Sequence, residues 1–163
     1  MKALFHSALV FLCTCTAVSA QTVGDTAFAE ELNSILDRDV PVVDVAHVVS
    51  PTVFLDAREP EEYNVSHIRG ARFIGYKELD LGMIKDLSKD TMIVVYCSVG
   101  YRSQQVTERL IEAGYTNVHN LYGGIFEWVN SGNTVVDQKG RTDRVHTYDR
   151  NWSKWLRKGE AVY

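Results

Sequence analysis

The chain has 163 residues, of which 45% are hydrophobic and 23% are charged, and its formal net charge is −4. This composition is typical of one compact domain and excludes the disordered and fibrous classes. The mildly acidic balance gives no basis for a nucleic-acid partner or for attraction to an anionic membrane surface.

The first twenty residues differ from the rest of the chain. Lys2 is followed by no charged side chain until Asp25, and residues 3–18 are mostly apolar or small. This order predicts a secretory signal peptide, residues 1–20, with cleavage after Ala20. A membrane-spanning helix needs about 20 mostly apolar residues, and polar side chains interrupt this run. We therefore expect an exported protein, periplasmic or secreted, without stable membrane insertion; a lipid anchor is the less favoured alternative.

Cleavage at that position removes two of the three cysteines and leaves Cys97 as the only thiol of the mature chain. An exported protein with one thiol has no internal disulfide, so its stability must come from its apolar core. The remaining thiol is then either reactive or an intermolecular link.

The first predicted elements after the signal are a helix and two strands. Apolar side chains recur at helical spacing over residues 27–36, which predicts an N-terminal helical segment within 21–41. Short β-branched runs at 42–45 and 53–55 predict two strands.

The middle of the chain alternates helices and strands. Pro60 and the acids around it predict a short helix. Residues 92–96 carry no charge, which is typical of a central strand buried on both faces. Residues 103–113 are amphipathic and predict a helix with Ser103 as its N-cap and Gly114 as its C-cap.

The last third of the chain contains another strand at 118–121 and a short helix at 125–129. Strands that alternate with helices predict an α/β fold over residues 42–132, with a central, mostly parallel sheet and helices on both faces. The extension 133–163 carries Trp152 and Trp155, which are expected to pack back onto the domain as core residues.

Cys97 follows the predicted central strand and precedes a predicted helix. Backbone N–H groups and the helix dipole favour an anion at such a position, and the charge of Arg102 stabilises a thiolate further. Gly100 permits the positive φ that a curled loop requires. A lone cysteine is more often a small core residue, but a strand end with a glycine and an arginine nearby favours a nucleophile.

Three groups of segments resemble the motifs of rhodanese-like sulfurtransferases. They are residues 97–103, similar to the active-site loop; 55–63 with 67–71, similar to the first motif of the family; and 121–124 with Trp128 and Gly132, similar to its closing motif. The resemblance covers about residues 42–132, in the order and spacing of the family.

The resemblance implies a rhodanese-like fold and a sulfurtransferase of the thiosulfate:cyanide type. Cys97 would take the outer sulfur from thiosulfate or a similar small anion, hold it as a persulfide, and pass it to cyanide or to a thiol or protein acceptor. No metal or organic cofactor is implied. The substrate-binding residues that the resemblance implies are those of the loop: Ser98, Val99, Gly100, Tyr101, Arg102 and Ser103.

Two positions depart from the family pattern. Ser66 stands where the family usually has glycine, which concerns only a turn. Ser98 stands where many members that use thiosulfate efficiently carry a basic residue. The sequence therefore leaves the identity of the sulfur donor open.

Other polar residues are assigned supporting or structural roles. Asp56 and Arg58 are interpreted as a structural ion pair that supports the site, rather than as an acid and a base of catalysis. His67 is interpreted as a hydrogen-bonded turn residue, since no second histidine or cysteine lies at ligand spacing. His146 and Asp149 likewise lack the spacing of a metal site.

Three other functions use similar residues. Cysteine-dependent phosphatases and arsenate reductases have a longer loop between the cysteine and the arginine, whereas four residues intervene here, which suits a sulfur atom better than an oxyanion. Disulfide exchange would require a second cysteine in the mature chain. A non-catalytic sulfur carrier or protein-binding module of the same fold remains an open alternative.

Overall fold

The computed structural model describes residues 22–37 and 39–163. The predicted signal peptide therefore lies outside the described residues. Within the part that the structure describes, no helix combines the length and the apolar character needed to cross a membrane.

Helices and strands alternate through most of the described chain. The helices are α1 (Thr26–Ile35), α2 (Pro60–Val65), α3 (Tyr101–Glu112) and α4 (Gly124–Asn130). The strands are β1 (Val42–Val43), β2 (Val53–Asp56), β3 (His67–Ile68), β4 (Arg72–Phe73), β5 (Ile93–Tyr96), β6 (Val118–Leu121), β7 (Val135–Asp137), β8 (Gly140–Thr142), β9 (Arg144–His146) and β10 (Glu160–Val162). Short 3₁₀ helices span Val45–His47, Leu81–Ile84 and Trp152–Trp155.

The main sheet has five parallel strands in the order β1-β6-β5-β2-β4. β5 lies at its centre, and all four of its residues are buried. Val94 and Tyr96 belong to the apolar layer that contains α1 and α4, whereas Ile93 and Val95 belong to the layer that contains α3. Successive side chains of a strand point to opposite faces, so one uncharged strand contributes to both layers. The predicted α/β class, with helices on both faces, is confirmed.

The helix after Cys97 begins earlier than the sequence predicted. α3 starts at Tyr101 and its N-cap is Gly100, with φ 121°, so the prediction of Ser103 as N-cap is wrong. Ser103 lies in the first turn, fully buried. The reason is conformational, because glycine tolerates a positive φ at the chain reversal. At the other end the C-cap is Ala113, and the predicted cap Gly114 follows it with φ 89°.

Residues 133–163 form two small sheets and contact the sheet domain through β3 and α1. β7 pairs antiparallel with β3 and with β8, and β9 pairs parallel with β10. Trp155 is buried and stacks on Phe28 of α1, with ring centroids 5.2 Å apart. Arg157 donates from Nε to Asp25 at 2.9 Å, at the start of the same helix.

Candidate active site

Cys97 follows β5 directly, at the carboxyl end of the central strand. Parallel strands bring their carboxyl ends to one edge of the sheet, which is where α/β proteins bind ligands. The residue is only 1% exposed. The Gly100 N–H donates to the Cys97 Sγ at 3.2 Å, so the loop curls back over the sulfur with a donor aimed at it.

Asn120 of β6, the neighbouring strand, supports this loop. Its Nδ2 donates to the Gly100 carbonyl at 3.0 Å, and its Oδ1 lies 2.7 Å from the Ser103 hydroxyl. The Ser103 hydroxyl also lies 3.1 Å from the Gly100 carbonyl. Because Asn120 and Ser103 are both fully buried, these bonds satisfy polar groups that water cannot reach. The loop is therefore held in one shape before any substrate binds.

The amino end of α4 holds the other side of the loop. The amides of Ile125 and Phe126 donate to the carbonyls of Cys97 and Ser98, at 2.9 Å and 3.2 Å. A Cβ atom on Gly124 would lie 2.5 Å from the Cys97 carbonyl oxygen. Only glycine lets the two backbones approach this closely.

The guanidinium of Arg102 is bound to a carboxylate. It donates to the two Glu62 oxygens at 2.6 Å and 2.8 Å and to the Ser98 hydroxyl at 3.0 Å. The Ser98 hydroxyl in turn lies 3.1 Å from Glu62 Oε1. Burial raises the pKa of Glu62, but the bonds and the charge of Arg102 outweigh burial and hold that pKa below its ordinary value. Glu62 is thus a buried, ionised partner of Arg102, 40 residues away in the sequence.

The Cys97 thiol is shifted toward its ionised form. Burial raises its pKa, but the charge of Arg102 and hydrogen bonds from Ser103 and Gly100 lower it by more, so the net pKa lies below the ordinary value of cysteine. The thiolate is the nucleophilic form of cysteine. The loop therefore has the electrostatics of an activated nucleophile.

A cavity of about 250 Å³ opens onto Cys97. Five of the seven loop residues singled out from the sequence line it: Cys97, Ser98, Val99, Tyr101 and Arg102. The other two, Gly100 and Ser103, are buried in the support of the loop. Three aromatic residues complete the wall: Tyr76, Tyr148 and Trp152.

Sequence reasoning missed several of these residues. It singled out neither Tyr76, Tyr148, Glu62 nor Asn120. Trp152 packs against the core as predicted, and the structure shows that it also lines the cavity. Glu62 had one local signal, its position in a capping box at the start of α2. That signal explains only the helix end, and nothing local connects it with Arg102.

Asp56 and Arg58 form a buried ion pair near this edge of the sheet. Arg58 donates from Nε and Nη2 to the two Asp56 oxygens at 2.9 Å and 2.7 Å, and from Nη2 to the Ser66 carbonyl at 2.6 Å. Both residues are fully buried and neither lines the cavity. The pair joins the end of β2 to the end of α2, which is a structural arrangement.

The histidines singled out from the sequence have local partners. His67 stacks on Tyr63, with ring centroids 4.0 Å apart, and the Tyr148 amide donates to His146 Nδ1 at 3.1 Å. Asp149 accepts from the amides of Asn151 and Trp152 at 2.7 Å and 3.1 Å. Over residues 22–37 and 39–163, no three histidine, cysteine or acidic residues are grouped in a way that could hold a metal.

Comparison with known families gives a match over the sheet domain. A model of the rhodanese-like domain matches residues 28–131, which is more than half of the chain. The chain belongs to the rhodanese family. The match ends before Tyr148 and Trp152, so those two residues of the cavity wall lie outside the part of the chain that the rhodanese model describes.

Individual rhodanese relatives agree with this assignment. The thiosulfate sulfurtransferase PspE of Escherichia coli is 38% identical over 71 residues, which are 43% of this chain and 68% of that protein. A tRNA uridine(34) hydroxylase of Prochlorococcus marinus is 29% identical over 118 residues, 67% of this chain but only 34% of the hydroxylase. The crystal structure of a rhodanese-related protein from Thermoplasma volcanium superposes with a TM-score of 0.53 at 30% identity, covering 59% of this chain and 97% of that one. Family and relatives together support an enzyme of the sulfurtransferase type.

Proposed function

We propose that this rhodanese is a sulfurtransferase that moves a sulfane sulfur through a persulfide on Cys97. The donor is thiosulfate or a similar compound, and the acceptor is cyanide or another thiophile. The observation that carries the proposal is a cysteine with a lowered pKa at the base of an open cavity, with the Gly100 N–H 3.2 Å from its sulfur.

The proposed chemistry has two steps. The Cys97 thiolate attacks the outer sulfur of the donor, an S–S bond forms on Cys97, and the donor's own S–S bond breaks with its electron pair leaving on sulfite. Cyanide then attacks the outer sulfur of the persulfide, and the Cys97 thiolate leaves with the electron pair as thiocyanate departs. The covalent intermediate divides one transfer into two easier ones, and no oxidant, reductant or cofactor is consumed.

The residues of the loop serve these steps through their charges and dipoles. Three groups favour a negative sulfur at Cys97: the Gly100 N–H, the amino end of α3 and the charge of Arg102. The same groups stabilise negative charge on the outer sulfur of the persulfide. Asn120 and α4 hold the loop in this shape, so little reorganisation is needed during the reaction.

The proposal predicts a stable sulfurated form of the protein. After incubation with thiosulfate, the intact mass should rise by one sulfur atom, and peptide mapping should place that atom on Cys97. Cyanide should then remove the sulfur and release thiocyanate. With both reagents present, thiocyanate should accumulate well beyond one equivalent per protein. If thiocyanate stops at one equivalent, the protein is a sulfur carrier; if no donor adds sulfur to Cys97, the proposal fails.

We also propose that the protein is exported and that residues 1–20 are removed. The support is the sequence pattern of a positive start, an apolar stretch and small residues before Gln21. Expression of the full chain in a bacterium with two membranes should yield periplasmic protein whose intact mass is that of a chain starting at Gln21. A full-length mass in the cytoplasmic fraction would contradict export.

A further inference from the structure

Four aromatic side chains surround the entrance to Cys97. Tyr76, Tyr101, Tyr148 and Trp152 supply half of the eight residues that line the cavity. Tyr148 is 56% exposed and Tyr101 is 50% exposed, so their rings are open to a ligand. A wall of this kind gives apolar contact to a flat organic group.

The two aromatic residues from the C-terminal extension are held in place by their own segment. The Asp149 N–H donates to the Thr147 carbonyl at 2.8 Å, which closes a tight turn around Tyr148. The Tyr148 N–H donates to His146 Nδ1, and the Trp152 N–H donates to Asp149 Oδ1, both at 3.1 Å. Hydrogen bonds within the extension therefore fix the backbone from which both rings project.

Tyr148 occupies a backbone conformation that its side chain disfavours. Its φ is 66°, and it is the one residue other than glycine with a positive φ among those that the structure describes. Such a conformation is strained for a bulky residue and persists where the surroundings enforce it, most often at functional sites. Glycine would adopt this positive φ without strain. A tyrosine at this position therefore points to a use for its ring.

The cavity offers little net positive charge to a dianion. Arg102 is the one arginine or lysine among its lining residues. Its charge is already balanced by Glu62, and its guanidinium lies 5.1 Å from the centre of the Tyr148 ring. The Cys97 thiolate adds a negative charge at the base of the cavity. Thiosulfate therefore gains less electrostatic binding energy here than it would beside an unpaired cation. A donor with an apolar group depends less on that charge and gains binding energy from contact with the aromatic wall.

We propose that Tyr148 and Trp152 make this rhodanese selective for sulfur donors that carry a flat apolar organic group, in preference to inorganic thiosulfate. The inference rests on the function proposed above and specifies its donor. With an aryl thiosulfonate, the Cys97 thiolate attacks the terminal sulfur, the donor's S–S bond breaks, and an aryl sulfinate leaves with the electron pair. The organic group packs against the two rings while its terminal sulfur reaches Cys97.

A matched set of donors isolates the organic group. Benzenethiosulfonate and methanethiosulfonate have the same charge and the same reacting sulfur, and only the first carries an aromatic ring. Thiosulfate is the inorganic dianion. The rate of sulfur addition to Cys97 is measured for each by rapid quench and intact mass. Each rate is divided by the rate of the same donor with a small free thiol, which removes the donor's own reactivity.

The corrected rate with benzenethiosulfonate should exceed that with methanethiosulfonate by about tenfold or more, as expected for one buried aromatic group. Tyr148→Asn should reduce this ratio severalfold, and thermal unfolding checks that the variant is folded. Trp152→Leu should also reduce the ratio. Tyr163→Ala is the matched control: Tyr163 is an exposed aromatic residue of the same segment that lies outside the cavity wall, so the ratio should not change.

Two results overturn the inference while leaving the proposed function standing. One is sulfur addition at equal corrected rates from both thiosulfonates. The other is a high ratio that neither Tyr148→Asn nor Trp152→Leu lowers. A failure of all three donors to add sulfur to Cys97 would instead refute the proposed function, and the donor preference with it.

Discussion

Replacement of Cys97 by serine is expected to abolish sulfur transfer. The serine hydroxyl has a pKa far above that of the Cys97 thiol, so no anionic nucleophile forms at neutral pH. Loss of a covalent nucleophile typically reduces turnover by about 10³-fold or more. Thiocyanate formation and the gain of sulfur in the intact mass should both fall to the level of a protein-free control. Undiminished thiocyanate formation by Cys97→Ser would refute the mechanism.

The same substitution should leave the fold intact. Serine at position 97 is close in size to cysteine, and its oxygen accepts from the Gly100 N–H that now contacts the sulfur. We expect the free energy of unfolding to change by about 1 kcal/mol or less, since the buried hydroxyl keeps a partner. Denaturant unfolding checks this, and it ensures that lost activity reflects lost chemistry. A large loss of stability would make Cys97 a structural residue as well.

Replacement of Arg102 by alanine is expected to reduce both stability and the reactivity of Cys97. The substitution leaves the Glu62 carboxylate, which is 2% exposed, without its bidentate partner. Removing one member of a buried ion pair costs about 3 kcal/mol, because the other charge stays buried. The free energy of unfolding at neutral pH should fall by about this amount, although Glu62 keeps contacts with Ser98 and the Glu59 amide. No change in that free energy would show that the pair does not stabilise the fold.

The loss should depend on pH in a defined direction. In the wild type the pKa of Glu62 is depressed, so its contribution to stability is present above the unfolded pKa of glutamate and is lost as the pH falls through the lower folded pKa. In Arg102→Ala, burial is no longer outweighed and the pKa of Glu62 should rise, which destabilises the fold at neutral pH. The difference between the two proteins should therefore be largest near neutrality and should shrink in acid.

The ionisation of Cys97 gives a second, independent measurement. Arg102 is the charge that lowers the pKa of Cys97 against the effect of burial. The pH at which alkylation of Cys97 is half-maximal should thus move upward in Arg102→Ala. An unshifted alkylation profile would show that the loop dipoles alone hold the thiolate.

Two matched variants separate the roles of the pair. Glu62→Gln keeps the shape of the side chain and removes its charge, so the alkylation profile should move slightly downward, because Arg102 is no longer neutralised. Combining Glu62→Gln with Arg102→Ala should recover part of the stability lost in Arg102→Ala alone, since the double variant no longer buries an unpaired carboxylate at position 62. A double variant as unstable as the sum of the two single variants would contradict the coupling.

Local patterns predicted much of the fold because they depend on neighbouring residues. The uncharged run over 92–96 contains β5, and the amphipathic run after it forms most of α3. The predicted start of α3 was wrong. The choice between Ser103 and Gly100 as N-cap depends on the reversal of the chain after Cys97, which residue preferences at the helix end do not describe.

The sequence by itself was enough to predict Cys97 as the nucleophile, because a strand, a cysteine, a short glycine-containing loop and a helix are contiguous and together favour an anion. Only the tertiary structure decided what surrounds Cys97. It paired Arg102 with Glu62 across 40 residues, set Asn120 against the loop from the next strand, and brought Tyr148 and Trp152 to the cavity from the extension. Those contacts join residues far apart in the chain, and they arise from packing and from a left-handed turn at Tyr148 that side-chain preferences oppose.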